Sequence, residues 1–266
     1  MLFSESTQQA WEARFGQPVP SDIPNVEPFL RHRSVRKFSQ APISDDVVSS
    51  LIAAAQSAST SSNLQLWSVI SVQDPERRKA IATLCAGQNQ VLNAPWFFAF
   101  FADHYRLAKA AREAGIEPYG LDYAEFGIMA LIDVALAAER MVCAAESNGM
   151  GICYVGALRN DAQGVKELLN LPEGTFGVFG LCLGYPAADE RGSIKPRLRQ
   201  EQIWFREEYD PEVSVEEYDQ RMKPAYERRG LTASWSEHSG VRVDGGHMTG
   251  REVLMEFLTK QGFFRR

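Results

Sequence analysis

Residues 121–148 read LDYAEFGIMALIDVALAAERMVCAAESN, and residues 96–102 read WFFAFFA. The first stretch is apolar or small on most faces, with Ala and Met dominating, and Gly149 follows it. This predicts the longest helix of the chain, buried all round and ended by the glycine. A small-residue helix of that length suits a seam between two subunits. The second stretch is a continuous apolar run, which predicts a central strand covered on both faces.

Working outward, Ser44 precedes DDVVSSLIAAAQSA, a capping hydroxyl with two acids in the first turn. Val47, Val48, Leu51, Ile52 and Ala55 then recur at helical spacing. The polar run 57–63 ends that helix. Strands are predicted at 67–72, 152–155 and 178–183, with helices at 75–85 and around 161–170. Beyond residue 201 the pattern predicts a charged helix near 213–228, a Gly- and Ser-rich loop over 231–250 and an amphipathic helix over 251–261. Strands interleaved with helices imply a mixed fold, a sheet covered by helices. Pro18, Pro20, Pro24 and Pro28 mark an extended arm, and residues 1–15 suit a short amphipathic helix. Neither repeats nor a linker between two cores is visible. The organisation expected is an N-terminal arm, 1–28, and one domain, 29–266, with a C-terminal excursion over 201–266.

The formal net charge of −6 over 266 residues argues against nucleic acid as the main partner, because phosphate binding needs a basic excess. Cys85, Cys143, Cys153 and Cys182 form no CxxC pair, and no His stands at zinc-ligand spacing, so no metal is expected. Their small and apolar neighbours suit buried, reduced thiols. The opening residues lack a basic stretch followed by an apolar run. The most apolar stretch, 126–138, contains Asp133 and is too short and too charged to span a bilayer. A cytoplasmic protein without membrane contact is expected.

The basic residues cluster. Arg31-His32-Arg33-Ser34-Val35-Arg36-Lys37-Phe38 concentrates cations beside a hydroxyl. Arg offers a planar fork of donors matched to phosphate oxygens, and Ser adds another donor. Spacing alone leaves a solvated basic face open, and favours it. No Walker or GxGxxG loop occurs, so a phosphate bound here would be held mainly by side chains.

The turn His32–Phe38 resembles the opening motif of the nitroreductase family of FMN flavoproteins. Further segments match in order: Ala58–Ser62 with Gln65, Ala86–Gln88, Gly151–Asn160 (GICYVGALRN), Phe179–Pro186 (FGLCLGYP) and Lys195–Leu198 (KPRL). The resemblance covers roughly residues 29–264. It is nearest to the group A oxygen-insensitive NAD(P)H nitroreductases and related flavin reductases. It implies an α+β fold with a mainly antiparallel sheet flanked by helices, and an obligate homodimer with FMN in a groove at the interface.

By the same resemblance, His32, Arg33, Ser34 and Arg36 hold the FMN phosphate and ribityl chain, and Lys195 and Arg197 supply a second basic pair near the flavin. A cation near N1 and O2 would stabilise the anionic reduced ring; an exposed turn is the plainer reading of that pair. Ser61, Ser62, Asn63 and Gln65 match a polar loop reaching the flavin from the partner chain, although such residues also simply end helices. Asn63 replaces a bulkier residue of the family, which bears on acceptor choice. Gln88 matches a side chain at the ring edge. Tyr154, Val155, Gly156 and Ala157 match the segment whose amides face N5 and O4, with Ala157 where the family has a second Gly.

Arg229 and Arg251 match cations that hold the nicotinamide dinucleotide, and Arg251 is also the candidate for orienting substrates. A basic pair of close relatives is missing from 231–235, which weakens the case for NADPH over NADH; a modest NADPH preference is still expected. No residue is expected to be strictly catalytic. The implied activity is FMN-dependent NAD(P)H oxidation coupled to reduction of small electron acceptors (nitroaromatics, quinones or flavins) by ping-pong hydride transfer. The alternatives are a flavin reductase supplying reduced FMN to a partner enzyme, or a non-redox flavin-binding member of the fold.

Overall fold

The structure, a computed structural model, describes residues 5–20, 24 and 26–266. Residues 1–4, 21–23 and 25 of the expected arm lie outside the described residues. In chain order the elements are α1 (Glu5–Phe15), α2 (Glu27–Leu30), α3 (Asp45–Gln56), β1 (Trp67–Ser71), α4 (Pro75–Leu84), α5 (Asn89–Asn93), β2 (Trp96–Asp103) and α6 (Tyr105–Glu113). They continue with α7 (Ala124–Ser147), β3 (Gly151–Val155), α8 (Ala162–Leu168), β4 (Thr175–Gly184), α9 (Glu216–Glu227), α10 (Trp235–Val243) and α11 (Leu254–Lys260). The contacts sort the chain into two units, Ser34–Arg191 with Thr249–Arg266, and Met1–Arg33 with Gly192–Met248.

The larger unit holds a four-stranded sheet of order β1-β2-β4-β3, antiparallel throughout. Successive side chains of a strand point to opposite faces, so the run WFFAFFA serves two cores at once. Phe98, Phe100 and Ala102 join Leu181, Leu183 and Ile152 under α3 and α7. Phe97, Ala99 and Phe101 join Val155, Cys153 and Cys182 on the other side, with Ile81 and Cys85 of α4 and its exit. Continuous apolar strands are commonest in parallel sheets; here an antiparallel strand has the same character because helices cover both faces. Truncating one of these buried phenylalanines to Ala would cost about 3–5 kcal/mol. None of the four cysteines is in a disulfide; three are buried, and burial pushes the Cys85 thiol up to about 12, which keeps it unreactive.

Helix α3 starts where its cap predicts, with Ser44 Oγ accepting from the Val47 N–H at 3.4 Å. Helix α7 runs as long as expected, but it is not buried all round. Ala130, Val134, Ala137, Ala138 and Met141 face the core, while Ile128, Ile132 and Leu136 are 48%, 49% and 43% exposed. These three are four residues apart, so they form one stripe along the helix. One chain covers a single side of α7, and the remaining side stays apolar and open.

The smaller unit contains α1, α2, α9 and α10. Its core is Tyr218, Met222 and Tyr226 of α9, packed by Leu198, Leu231 and Trp235. The loop expected over 231–250 contains α10, an element missed from sequence. Ser234 Oγ accepts from the Glu237 N–H at 3.1 Å and Glu237 Oε2 accepts from the Ser234 N–H at 2.7 Å, a reciprocal cap that starts the helix. Residues 27–28, the end of the expected extended arm, instead open the short α2, with Pro28 in its first turn, where a missing N–H costs nothing.

Candidate functional site

The basic turn lies along the edge of β3. Ser34 bridges Ile152, and the Val35 N–H donates to the Ile152 carbonyl at 2.8 Å. Gly151 permits this approach, since a Cβ there would stand 2.4 Å from Val35 Cγ2. The backbone N–H groups of Arg36 and Lys37 both donate to Glu190 Oε2, at 3.1 and 2.7 Å. Lys37 Nζ pairs with Asp189 at 2.8 Å; the pair, exposed on both sides, raises the lysine and lowers the acid from their ordinary values. Lys37 is thereby committed. The guanidinium of Arg36 is exposed and makes no hydrogen bond or ion pair among the described residues, and the half-buried Arg33 makes none either.

Within the smaller unit, one buried guanidinium ties two of the sequence-predicted segments together. Arg14, 5% exposed, donates through Nε to the Leu30 carbonyl at 3.1 Å and through Nη1 to the Lys195 carbonyl at 3.1 Å; Nη2 donates to the carbonyl of His32. The Arg197 N–H donates back to the Arg14 carbonyl at 2.8 Å. Arg221 adds bonds to the carbonyls of Arg14 and Arg197, at 3.1 and 2.9 Å. His32 and Lys195 are 163 positions apart in sequence (195 minus 32), yet both carbonyls rest on the same side chain. Arg229 is exposed just beyond the end of α9, its N–H bonded to the Tyr226 carbonyl at 2.8 Å.

The polar loop before β1 is strained. Ser62, Asn63 and Gln65 have φ of 49°, 54° and 53°, a left-handed backbone that non-glycine residues seldom adopt. Ser61, Ser62, Asn63 and Gln65 are all exposed. What holds the loop is Asp133 of α7, 1% exposed. Its Oδ2 accepts from Thr60 Oγ1 at 2.5 Å and from the Leu66 N–H at 2.9 Å, and its Oδ1 accepts from the Ser61 N–H at 3.2 Å. Thr60 Oγ1 in turn accepts from the Gln65 N–H at 2.9 Å. Arg106 reinforces the far end through the carbonyls of Gln65 and Trp67, both at 2.7 Å.

Gln88 is half-buried ahead of α5, after Ala86 and Gly87 at φ 61° and 65°; its Oε1 accepts from Gln90 Nε2 at 2.5 Å. Tyr154 and Val155 end β3, and Gly156 and Ala157 open a 3-10 turn over Gly156–Arg159. The leading N–H groups of such a turn have no acceptor inside it. Tyr154 Oη donates to Glu139 Oε2 at 3.1 Å, and burial together with that carboxylate pushes the phenol well above its ordinary range. Arg251 clamps the turn: Nε donates to Asn160 Oδ1 at 2.9 Å and Nη2 to the Gly156 carbonyl at 3.1 Å. Gly250 precedes it at φ 84°, where a Cβ would meet the Asn160 carbonyl oxygen at 2.5 Å. A separate cavity of about 300 Å³ in the larger unit is lined by His104, Arg112, Asp122, Gln261 and Arg265 among others. None of the sequence-predicted site residues lines it.

The nitroreductase family model matches residues 30–185, and the nitroreductase family C-terminal domain matches 195–266. The chain belongs to the nitroreductase family. An NADPH-dependent oxidoreductase of Staphylococcus epidermidis is 40% identical over 247 residues, covering 89% of this chain and 96% of that protein. The NfrA1 nitroreductase of B. subtilis superposes with a TM-score of 0.85 at 33% identity, over 91% of this chain and 99% of its own. The NADPH:FMN oxidoreductase of Vibrio harveyi, solved as its complex with NAD+, superposes with a TM-score of 0.80 at 33% identity, over 91% and 99% of the two chains.

The sequence motifs do not contain the residues that set the candidate site from behind. Arg14 sits in α1, whose apolar residues follow no clear helical stripe, so nothing local marks it. Asp133 did leave a signal. It stands at the core-facing spacing of Met129 and Ala137, where a lone acid in an apolar helix needs hydrogen-bond partners.

Proposed function

We infer that this nitroreductase carries FMN and passes hydride from NAD(P)H to small electron-poor acceptors, as a homodimer. The observation that carries this reading is the junction at Arg14, which holds the His32 and Lys195 segments on one guanidinium. A flavin phosphate carries close to two negative charges and needs cations not already neutralised. The turn fits that need, because Lys37 is paired with Asp189 while Arg33 and Arg36 have no acidic partner among the described residues.

When bound, FMN supplies the hydride chemistry, and the protein supplies placement and electrostatics. His32, Arg33, Ser34 and Arg36 would hold its phosphate and ribityl chain; Lys195 and Arg197 would place positive charge near the ring. The Gly156–Ala157 turn, fixed by Arg251, would offer N–H groups to the ring edge, with Gln88 beside it. Ser61, Ser62, Asn63 and Gln65 stand outward from their own chain, as residues must if they serve the partner's flavin. The apolar stripe Ile128–Ile132–Leu136 supports the dimer, being an uncovered face on the helix that anchors this loop. Arg229 and Arg251 would meet the dinucleotide, with NADPH modestly preferred over NADH. The donor leaves before the acceptor enters, so ping-pong kinetics follow. No helix among the described residues is long and apolar enough to cross a membrane; a cytoplasmic site of action is part of the proposal.

The test is to purify the protein and titrate it with NADPH without oxygen. A yellow sample whose visible bands bleach is expected. A preparation that stays colourless with excess FMN would end this reading. Turnover with free FMN against a nitroaromatic then separates a flavin reductase from a general acceptor reductase.

A further inference from the structure

We propose that Asp133 is a positioning residue for flavin binding: its buried carboxylate on α7 holds the strained 60–66 loop in the form that presents Ser61–Gln65. The proposal rests on the FMN reading above and adds a residue that the sequence motifs do not contain.

The first ground is the chemistry of the site. Three donors, the Thr60 hydroxyl and the N–H groups of Ser61 and Leu66, converge on the two oxygens of Asp133 within 3.2 Å. An amide would supply one acceptor oxygen and turn an NH₂ toward a donor. A carboxylate at 1% exposure is costly to bury unless it is fully hydrogen-bonded. Merely ending α3 would not need one, since Ser57 already caps that helix with its N–H on the Ala53 carbonyl at 3.1 Å.

The second ground is strain with no packing to explain it. Ser62 and Gln65, with φ near 50°, each cost on the order of 1 kcal/mol or more, and Asn63 beside them takes the same form more cheaply. Their side chains are exposed at 62, 63 and 65 and belong to no core cluster. The conformation therefore serves what lies outside the chain. Asp133 governs it directly at Ser61 and Leu66. It governs Gln65 through Thr60, whose hydroxyl donates to the acid and accepts from the Gln65 N–H. The acid lies next to Ile132 of the exposed stripe, so one turn of α7 carries both the loop anchor and the open apolar face.

The test compares wild type with Asp133→Asn, Thr60→Val and Thr60→Ser, titrating FMN-depleted protein with FMN by fluorescence quenching. The NADPH KM is then measured at saturating FMN, with mass by light scattering. Asp133→Asn is expected to weaken FMN binding by about tenfold or more, the worth of one charge-assisted hydrogen bond. It should also raise KM in the FMN-loaded enzyme, with the dimer mass retained. Thr60→Val should move both quantities in the same direction by less, and Thr60→Ser should restore them. An Asp133→Asn protein with FMN affinity and KM within about twofold of wild type overturns the proposal. If Asp133→Asn does not fold, wild-type FMN affinity in Thr60→Val overturns it instead. Failure of the FMN reading itself is recognised separately, because the unsubstituted control would then take up no flavin.

Discussion

Replacing Arg14 by methionine keeps the length and apolar stem of the side chain but removes every donor. In the native protein those donors satisfy the carbonyls of Leu30, His32 and Lys195, and the side chain is 5% exposed. A buried acceptor stripped of its partner costs about 1–3 kcal/mol. Leu30, His32 and Lys195 are half-buried, so water can reclaim part of that loss, and Arg14→Met should destabilise by about 3–5 kcal/mol. Arg14→Lys, with one ammonium for three carbonyls, should fall between. Urea unfolding followed by tryptophan fluorescence gives the stability change, and FMN titration under native conditions gives the binding change. Weaker flavin binding should accompany the loss of stability, because Arg14 bonds the carbonyls of both His32 and Lys195. A stability change below about 1 kcal/mol, with unchanged FMN affinity, would refute the claim that this guanidinium joins the two segments.

Arg251→Ala should raise KM or lower turnover in the FMN-loaded protein, since Arg251 is the candidate for orienting substrates and its loss also frees the Gly156 carbonyl and Asn160; steady-state kinetics at saturating FMN decide this, and unchanged constants count against the role. Ile132→Glu puts a charge in the middle of the open stripe of α7 and should yield monomer mass by light scattering together with flavin loss. Burial pushes the His104 imidazole below its usual 6.5, outweighing its bond to the Phe126 carbonyl and the nearby Asp103. The folded state therefore favours the neutral ring, and the unfolded chain takes up the proton first as pH falls through about 6.5. Stability should be full above that pH and fall below it until the folded imidazole also protonates. His104→Gln should flatten this stretch when urea midpoints at pH 7.5 and 5.5 are compared, and an equal slope in both proteins would contradict it.

The fold was legible wherever its cause is local. A capping Ser ahead of two acids starts α3, and an unbroken apolar run becomes a strand that feeds two cores. The S-x-x-E cap at Ser234 was equally local, yet the Gly and Ser around it read as loop, and α10 was missed. The strand order and the two units depend on contacts between distant segments, which no window of sequence contains. The candidate site divides in the same way. Residues that would touch a ligand sit in short motifs, because a phosphate or a ring edge draws several neighbours at once. Residues that hold those motifs do not. Thr60 and Asp133 are 73 positions apart, and Arg14 and Lys195 are 181 apart.

Of the side chains that bind from behind, Asp133 alone is a charge where the surrounding pattern calls for an apolar group. Such a charge survives burial only if it is fully hydrogen-bonded, so its presence already implies several donors or acceptors converging from elsewhere. Asp133 shows how far that inference reaches. Its place on α7 points to a bound loop, the loop's left-handed residues point to a conformation imposed from below, and their exposed side chains point to something beyond the chain that the conformation serves.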